Sequence, residues 1–490
     1  MPIIIDGIEL DETNIEFNVA SELIKFPINQ ILYLTGKAGT GKTTFLKYIK
    51  ETSAKNTVVV AYTGVAAVNA GGQTINSFFQ IPPQSIFSPN DSRLRTKPES
   101  EDTDKSTIYD HFQYSRQKRD ILEALEILII DEISMVRCDL LDVIDKLLRV
   151  FSKRNAFAAF GGIQVILIGD LFQLPPIAKV NEWEILSKFY ESPYFFSSNV
   201  IKTNNPIYIE LKKIYRQKEQ NFISLLNKIR VNQVTSYDLQ ILNERYNPTF
   251  TSNNKTEYIT LATHNHIVDT INQTKLAELP GNPYPYVATV IGTFPKNIMP
   301  TEEVLLLKEG AQVMFVKNNW NIGYYNGKIG TIIKIDKSCI TVRFSTINNN
   351  EEKEIAVERE TWKNIKYIWN SEKKKIEEEI IGTFVQFPLR LAWAITVHKS
   401  QGLTFENVIA DLGAAFDYGQ VYVALSRCTT FNKLILKSKI DRRAIKTDSR
   451  VIEFAKIEMP YTLLIKKLNE GNENSKLIMQ KWYQDLLQQK

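Results

Sequence analysis

Eight residues, Gly36-Lys37-Ala38-Gly39-Thr40-Gly41-Lys42-Thr43, constrain the fold of this chain more than any others, because of what flanks them. The apolar run Ile31-Leu32-Tyr33-Leu34 precedes them and the helix-like run Thr44-Phe45-Leu46-Lys47-Tyr48-Ile49 follows, so the order strand, loop, helix is set. Gly36, Gly39 and Gly41 let the backbone turn until successive N–H groups face one anion, and the helix N-terminus adds partial positive charge. Thr40 and Thr44 belong to the same cradle. Lys42 is expected to bridge β- and γ-phosphates, and Thr43 to hold Mg2+. The expected ligand is a nucleoside triphosphate.

Hydrolysis needs acids at the end of a neighbouring strand, and Leu128-Ile129-Ile130-Asp131-Glu132 supplies them. Asp131 is expected on the metal and Glu132 on the attacking water. A further run, Val165 to Ile168, ends in Gly169-Asp170 and leads to Gln173, whose carboxamide suits a γ-phosphate sensor. Far downstream, Arg216 and Arg427 offer permanently charged guanidinium groups that can neutralise charge on a transferring phosphoryl group.

The remaining composition mainly excludes. Three cysteines and four histidines give neither a disulfide framework nor metal-ligand spacing, which favours a reducing compartment. A net charge of +5 fits a polyanionic partner without requiring one. No apolar run reaches the roughly 20 residues of a membrane span, and the first residues lack signal or transit character, so a cytoplasmic protein is expected. At 490 residues the chain exceeds one core. Strand-like and helical runs alternate over the first third, which implies a parallel sheet covered by helices. The stretch from Ile81 to Lys105 turns to Pro, Ser, Asp and Lys and reads as a partly disordered surface insertion. From Gly310 to about Phe344, short β runs with a turn at Tyr325-Asn326-Gly327 read as a small barrel. The charged stretch 348–379 reads as a solvated hairpin anchored by Trp362 and Trp369.

Six blocks together resemble the Pif-type 5′-to-3′ DNA helicases of superfamily 1B, a RecD-like group. They are GKAGTGKT, AYTGVAAVNAGGQTINSFF from Ala61, LIIDEISMVRCDLLDVIDKLLR from Leu128, FGGIQVILIGDLFQLPP from Phe160, LAWAITVHKSQGLTF from Leu391 and GQVYVALSR from Gly419. The resemblance implies an α/β fold of two RecA-like lobes with ATP between them. Lys42, Thr43, Asp131, Glu132 and Gln173 then stand on one side of the cleft, and Arg216 and Arg427 on the other. It divides the chain into lobe 1 (1–79 and 121–195), a wedge insertion (80–120), lobe 2 (196–305 and 386–445), a small β-barrel insertion (306–385) and C-terminal helices (446–490). Where relatives carry a Gln for adenine, this chain has Asp11-Glu12-Thr13-Asn14, which assigns that contact to the shorter Asn14.

The expected partner is single-stranded or tailed duplex DNA, with G-quadruplex resolution as a specialisation, acted on by a monomer associated with the nucleoid. Thr63, Gly64, Ala66 and Ala67 follow a strand and offer small side chains and accessible N–H groups for tracking phosphates, and Thr74 and Ser77 add hydroxyls. Thr396, His398, Lys399, Ser400 and Gln401 form the matching polar cluster in the second lobe. The resemblance alone makes Gly402 and Glu406 a relay between nucleotide and strand. Two functions stay open at this level: a motor that unwinds DNA, and an ATP-gated nucleic-acid-binding switch or protein-displacing translocase without processive unwinding.

Overall fold

A computed structural model describes residues 4–5, 8–11, 13–25, 31–97, 106–217, 219–251, 257–319, 322–345, 352–415 and 417–458. The continuous apolar runs near the start become buried parallel strands, as runs without alternation do when both sheet faces are covered. Six of them form one sheet in the order Gln73–Thr74, Thr57–Ala61, Ile127–Asp131, Gln164–Ile168, Ile31–Gly36, Ile207–Leu211. Every neighbouring pair is parallel. Phe17, Leu32, Leu34, Phe45, Ile129 and Ile166 fill one face, while Tyr33, Val58, Ile130, Ile144 and Leu167 belong to the larger core on the other.

A second parallel sheet has the order Ala394–Thr396, Ile259–Ala262, Val408–Asp411, Leu434–Leu436. Its buried residues, among them Leu261, Val408 and Leu434, join the larger core, so apolar packing runs from lobe to lobe.

The structure redraws several expected boundaries. Strand Ile207–Leu211, placed in lobe 2 by the division at 195/196, pairs with Ile31–Gly36 and is the edge of the first sheet. The expected barrel over 306–385 is two assemblies. Glu352–Val357, Ile340–Ser345, Ile329–Ile335, Gln312–Phe315 and Leu389–Leu391 form one antiparallel sheet around Val313, Phe315, Val342 and Phe344. The strands Glu360–Asn370 and Lys375–Gln386 instead pair as a long hairpin, with Thr289–Gly292 on its outer side. Trp362, Ile365 and Tyr367 on one face of that hairpin are buried, whereas Lys363 and Lys366 lie on the other face.

The insertion 80–120 is also more ordered than its composition suggests, although 98–105 lie outside the described residues. Phe87, Leu94, Ile108, Phe112 and Tyr114 are buried against the first lobe. Helix Cys138–Phe151 organises this packing: Asp139 accepts from Phe87 N at 3.3 Å, and Arg137 donates to Ser85 O at 2.9 Å. Of the expected C-terminal helices, Ser449–Ala455 returns to the first lobe and stacks Phe454 on Phe196 with centroids 4.6 Å apart. Residues 459–490 lie outside the described residues.

Candidate nucleotide and nucleic-acid site

Strand Ile31–Gly36 delivers the phosphate loop at the C-terminal edge of the first sheet, where ligands of open α/β sheets bind. Helix Lys42–Thr52 starts beyond Gly41, whose φ of 92° is left-handed and open to glycine at little strain. At Gly39 (φ +80°) an added Cβ would stand 2.5 Å from Arg216 Cβ, so the loop and the Tyr215-Arg216 segment close on each other. Lys42 Nζ donates to Gly36 O at 2.6 Å and Lys37 O at 3.1 Å, which holds the amine over the loop. Burial lowers its pKa, against the opposing fields of Asp170 and Glu132. Thr40 is buried and donates to Lys37 O, while Thr43 is exposed at the helix start.

Asp131 ends strand Ile127–Asp131, and Glu132 follows with φ 50°, a conformation that turns its side chain away from the strand direction. Burial, then the charge of Glu132, raises the Asp131 carboxyl above the ordinary carboxylate range. Glu132 is raised too, chiefly by burial, against Lys42 and Arg427. Among the described residues there is no cluster of three or more His, Cys, Asp or Glu able to hold a metal. A divalent cation here would therefore take its remaining ligands from phosphates and water, as Mg2+ usually does. Asp131 and the exposed Thr43 hydroxyl would be the protein groups to hold such an ion.

Gln173 is buried, and its amide donates to Asp170 Oδ2 at 3.1 Å. Arg230, which sequence reasoning did not single out, donates to Asp170 Oδ1 at 3.0 Å.

Arg427 is 1 % exposed and donates to Val423 O, Leu403 O and Ser426 Oγ at 2.9, 3.3 and 2.8 Å. Arg216 donates to Ser426 O at 3.3 Å and Gly402 O at 3.1 Å. The expectation that both arginines come from lobe 2 holds for Arg427 only. Arg216 follows the edge strand of the first sheet and reaches across the seam. Among the described residues neither has a carboxylate within ion-pair distance. Burial, then the charge of Arg427, lowers the Arg216 pKa, so two like charges share one cleft that favours an anion.

Beside the loop opens a cavity of about 800 Å3, within the range of small-molecule sites. Gly39, Gly41, Thr44, Tyr48 and Tyr215 line its lobe 1 side, and Thr404, Glu406, Lys433 and Tyr325 the other. Asn14 lies in this wall, held by two hydrogen bonds. Its Oδ1 accepts from Phe17 N at 3.1 Å and its Nδ2 donates to Tyr215 Oη at 3.1 Å, so it acts on the cavity by fixing Tyr215. Tyr215, Tyr325 and Lys433 are lining residues that no local motif announced. Glu406 reaches Lys328 at 3.1 Å and Lys433 at 3.7 Å, and Gly402 presents open space where a Cβ would stand.

The residues expected on DNA fall into two groups. Thr63 and Thr74 cap helices Gly64–Ala70 and Ile75–Phe79, accepting from Ala66 N and Ser77 N, and leave their hydroxyl protons available. Ala66 and Ser77 lie on those first turns. Gly64 is closed by the second lobe, since its Cβ would stand 2.3 Å from Ile298 Cγ2, and Ala67 is buried. Across the cleft, Thr396 and Ser400 are buried, with Thr396 Oγ1 accepting from Lys399 N and Ser400 Oγ donating to Val397 O. Those two shape the loop, whereas Lys399 is exposed and His398 half-buried, with its pKa lowered by burial. Gln401 does something different from its neighbours: its Nε2 donates to Glu132 Oε2 at 2.9 Å, which joins this loop to the acid pair.

Two parallel-sheet lobes, a phosphate loop with its acid pair, and buried arginines at the seam define a nucleoside-triphosphate-driven motor of the helicase class. Comparison with known proteins gives the family. A model of the PIF1-like helicases matches residues 12–239. The ATP-dependent DNA helicase Pif1 of Campylobacter jejuni is 30% identical over 453 residues, covering 87% of this chain and 94% of that protein. Human ATP-dependent DNA helicase PIF1 is 32% identical over 441 residues, and the chain spans 61% of its length. Among solved structures, Bacteroides sp Pif1 in complex with ADP-AlF4 aligns with TM-score 0.80 at 41% identity, over 92% of this chain and 97% of that one. Bacteroides Pif1 bound to ssDNA aligns with TM-score 0.61 at 41% identity, over 91% and 97%. The chain belongs to the PIF1-like helicase family.

Proposed function

We propose that this DNA helicase hydrolyses ATP with Mg2+, moves 5′-to-3′ along single-stranded DNA, and separates tailed duplexes. The observation that carries the proposal is the cleft itself. The charges of Lys42 and Arg427 both act on Glu132, that of Arg216 acts on Lys42, and Gln401 ties the second lobe's loop to Glu132 at 2.9 Å.

Mg2+, when bound, neutralises charge on the phosphates. Lys42 leaves the loop carbonyls for the phosphate oxygens, and the backbone N–H groups around Gly39 and Gly41 orient them. Glu132 accepts the proton of the attacking water, and the two guanidinium groups hold the charge spreading over the γ-phosphoryl oxygens. Because Arg427 stands on the second lobe, this constellation is complete only when the lobes are closed, so hydrolysis and lobe motion are one cycle. DNA in contact with Lys399 and His398 positions Gln401, and through it Glu132, so the strand controls the acid. Thr63, Ala66, Thr74 and Ser77 hold the strand on the first lobe. The packed insertion 80–120 stands as the wedge against a duplex whose steps cost about 1.4 kcal/mol each. Resolution of G-quadruplexes, a monomeric state without DNA, and association with the nucleoid belong to the same proposal.

The test is ATP hydrolysis with and without single-stranded DNA. The account expects strong stimulation by DNA, its loss in Lys42→Ala, and weaker stimulation at unchanged DNA affinity in Gln401→Ala. Hydrolysis indifferent to DNA would contradict it.

A further inference from the structure

We infer that Arg230 is a positioning residue for ATP hydrolysis, a strut that neutralises Asp170 and thereby leaves Gln173 and Lys42 free to engage the γ-phosphate. The inference rests on the proposed sensor role of Gln173. Arg230 ends helix Gln220–Arg230, which packs on Gln420–Ser426 of the second lobe. Its guanidinium nevertheless sits under the first sheet, 3.0 Å from Asp170 Oδ1 and 3.2 Å from Glu210 Oε1, and over the Phe172 ring at 4.0 Å. Asp170 is fully buried, and its other partners are the amide of Gln173 at 3.1 Å and Phe172 N at 3.2 Å. The second lobe also presses on the sensor from above, since a Cβ at Gly419 would stand 2.2 Å from Gln173 O.

The charge arithmetic follows from burial. A carboxylate inside protein requires a cation or hydrogen-bond donors, and removing one partner of a buried pair leaves the other uncompensated. When Gln173 turns from Asp170 to a phosphate oxygen, Asp170 loses a donor and keeps Arg230. Without Arg230, the next cation whose field Asp170 shares is Lys42. Asp170 would then compete with ATP for the Lys42 amine and hold back the Gln173 amide. Because Arg230 is carried by a second-lobe helix, the sensor is supported across the seam that ATP closes.

The experiment compares Gln173→Ala, Arg230→Met, Arg230→Lys, Asp170→Asn and Arg230→Met combined with Asp170→Asn, measuring kcat and KM for ATP and the affinity for a fluorescent ADP. Arg230→Met should raise KM and lower kcat, kcat/KM falling on the order of tenfold or more, against the roughly hundredfold cost of an ångström's misplacement. ADP lacks the γ-phosphate but keeps the β-phosphate that Lys42 contacts, so its affinity should fall by less than kcat/KM for ATP does. Adding Asp170→Asn should restore much of the loss, and Arg230→Lys should fall between wild type and Met. A role in packing alone gives no such rescue, so equal impairment of single and double variants overturns the inference. Normal turnover in Arg230→Met beside an impaired Gln173→Ala overturns it too and leaves the sensor standing. Normal turnover in Gln173→Ala sinks the sensor and the strut together. Should Arg230→Met not fold, the double variant carries the test: turnover near that of Asp170→Asn alone supports the strut, and turnover as low as Gln173→Ala overturns it.

Discussion

Glu257 lies in a small cavity of about 290 Å3 beside the nucleotide site, and the two cavities share Tyr325, Thr404, Phe405, Glu406 and Lys433. Burial pushes its carboxyl up to about 7 from the ordinary 4.5, reinforced by Glu406 and Glu352 and opposed by Lys328. The folded chain therefore holds a proton on Glu257 at pH values where the unfolded chain has released it. Wherever the native state binds more protons, stability falls as pH rises. This contribution is complete below about 4.5 and is lost as pH rises through about 7. Glu257→Gln should flatten that part of the profile, so that denaturation midpoints at pH 6 and pH 8 lie closer together than in wild type. An unchanged gap would mean that Glu257 is solvated in the folded protein. At the same scale, the loop and acid pair were legible because each sits at a fixed offset from an apolar run, whereas Arg216 and Arg427 were singled out only through the resemblance. Arg230, Tyr215 and Lys433 were not legible, since what makes them matter is a partner far along the chain, such as Asp170 for Arg230.

Among the elements, the long hairpin shows how the insertion is fixed to the first lobe. Strand Thr57–Ala61 pairs with Gln73–Thr74 only at Val60 and Ala61, which leaves Val59 N–H outside that ladder. Tyr367 of the hairpin accepts from it at 3.1 Å, Asn56 Oδ1 accepts from Ile376 N at 2.9 Å, and Lys50 meets Glu378 at 2.8 Å. Tyr367→Phe keeps the ring and removes the oxygen, leaving a buried donor without its acceptor. The expected cost is about 1–3 kcal/mol in chemical denaturation. No change in stability would show that the hairpin is not seated on the strand in solution. The hairpin and its Trp362 anchor were read from the sequence, but its seat on the first lobe was not, because its solvent face is so rich in Lys and Glu that Ile365 and Tyr367 do not stand out. Strand Ile207–Leu211 had the opposite difficulty. It reads plainly as a strand, yet which sheet a parallel strand joins is decided by pairing with distant residues, here Leu32 to Gly36. In the insertion 80–120, buried aromatics occur at no regular spacing, so a period search finds nothing although Phe87, Phe112 and Tyr114 are core.

Over the whole molecule, one apolar core spans both lobes while the groups proposed for catalysis are split between them. The first sheet contributes the phosphate loop, acids and sensor, the second sheet contributes Arg427 and the Gln401 loop, and Arg216 joins them. Bringing these together draws on the free energy of ATP binding, because a ligand shifts a two-state equilibrium by its differential affinity for the two states. The central claim is that such closure moves the protein along one strand in one direction. It is tested most directly by strand separation on matched 5′-tailed and 3′-tailed duplexes, with intact protein, Lys42→Ala and Arg427→Ala. The account predicts ATP-dependent unwinding of the 5′-tailed duplex alone, lost in both variants. Hydrolysis of ATP without separation of either duplex, or preference for the 3′ tail, would contradict it.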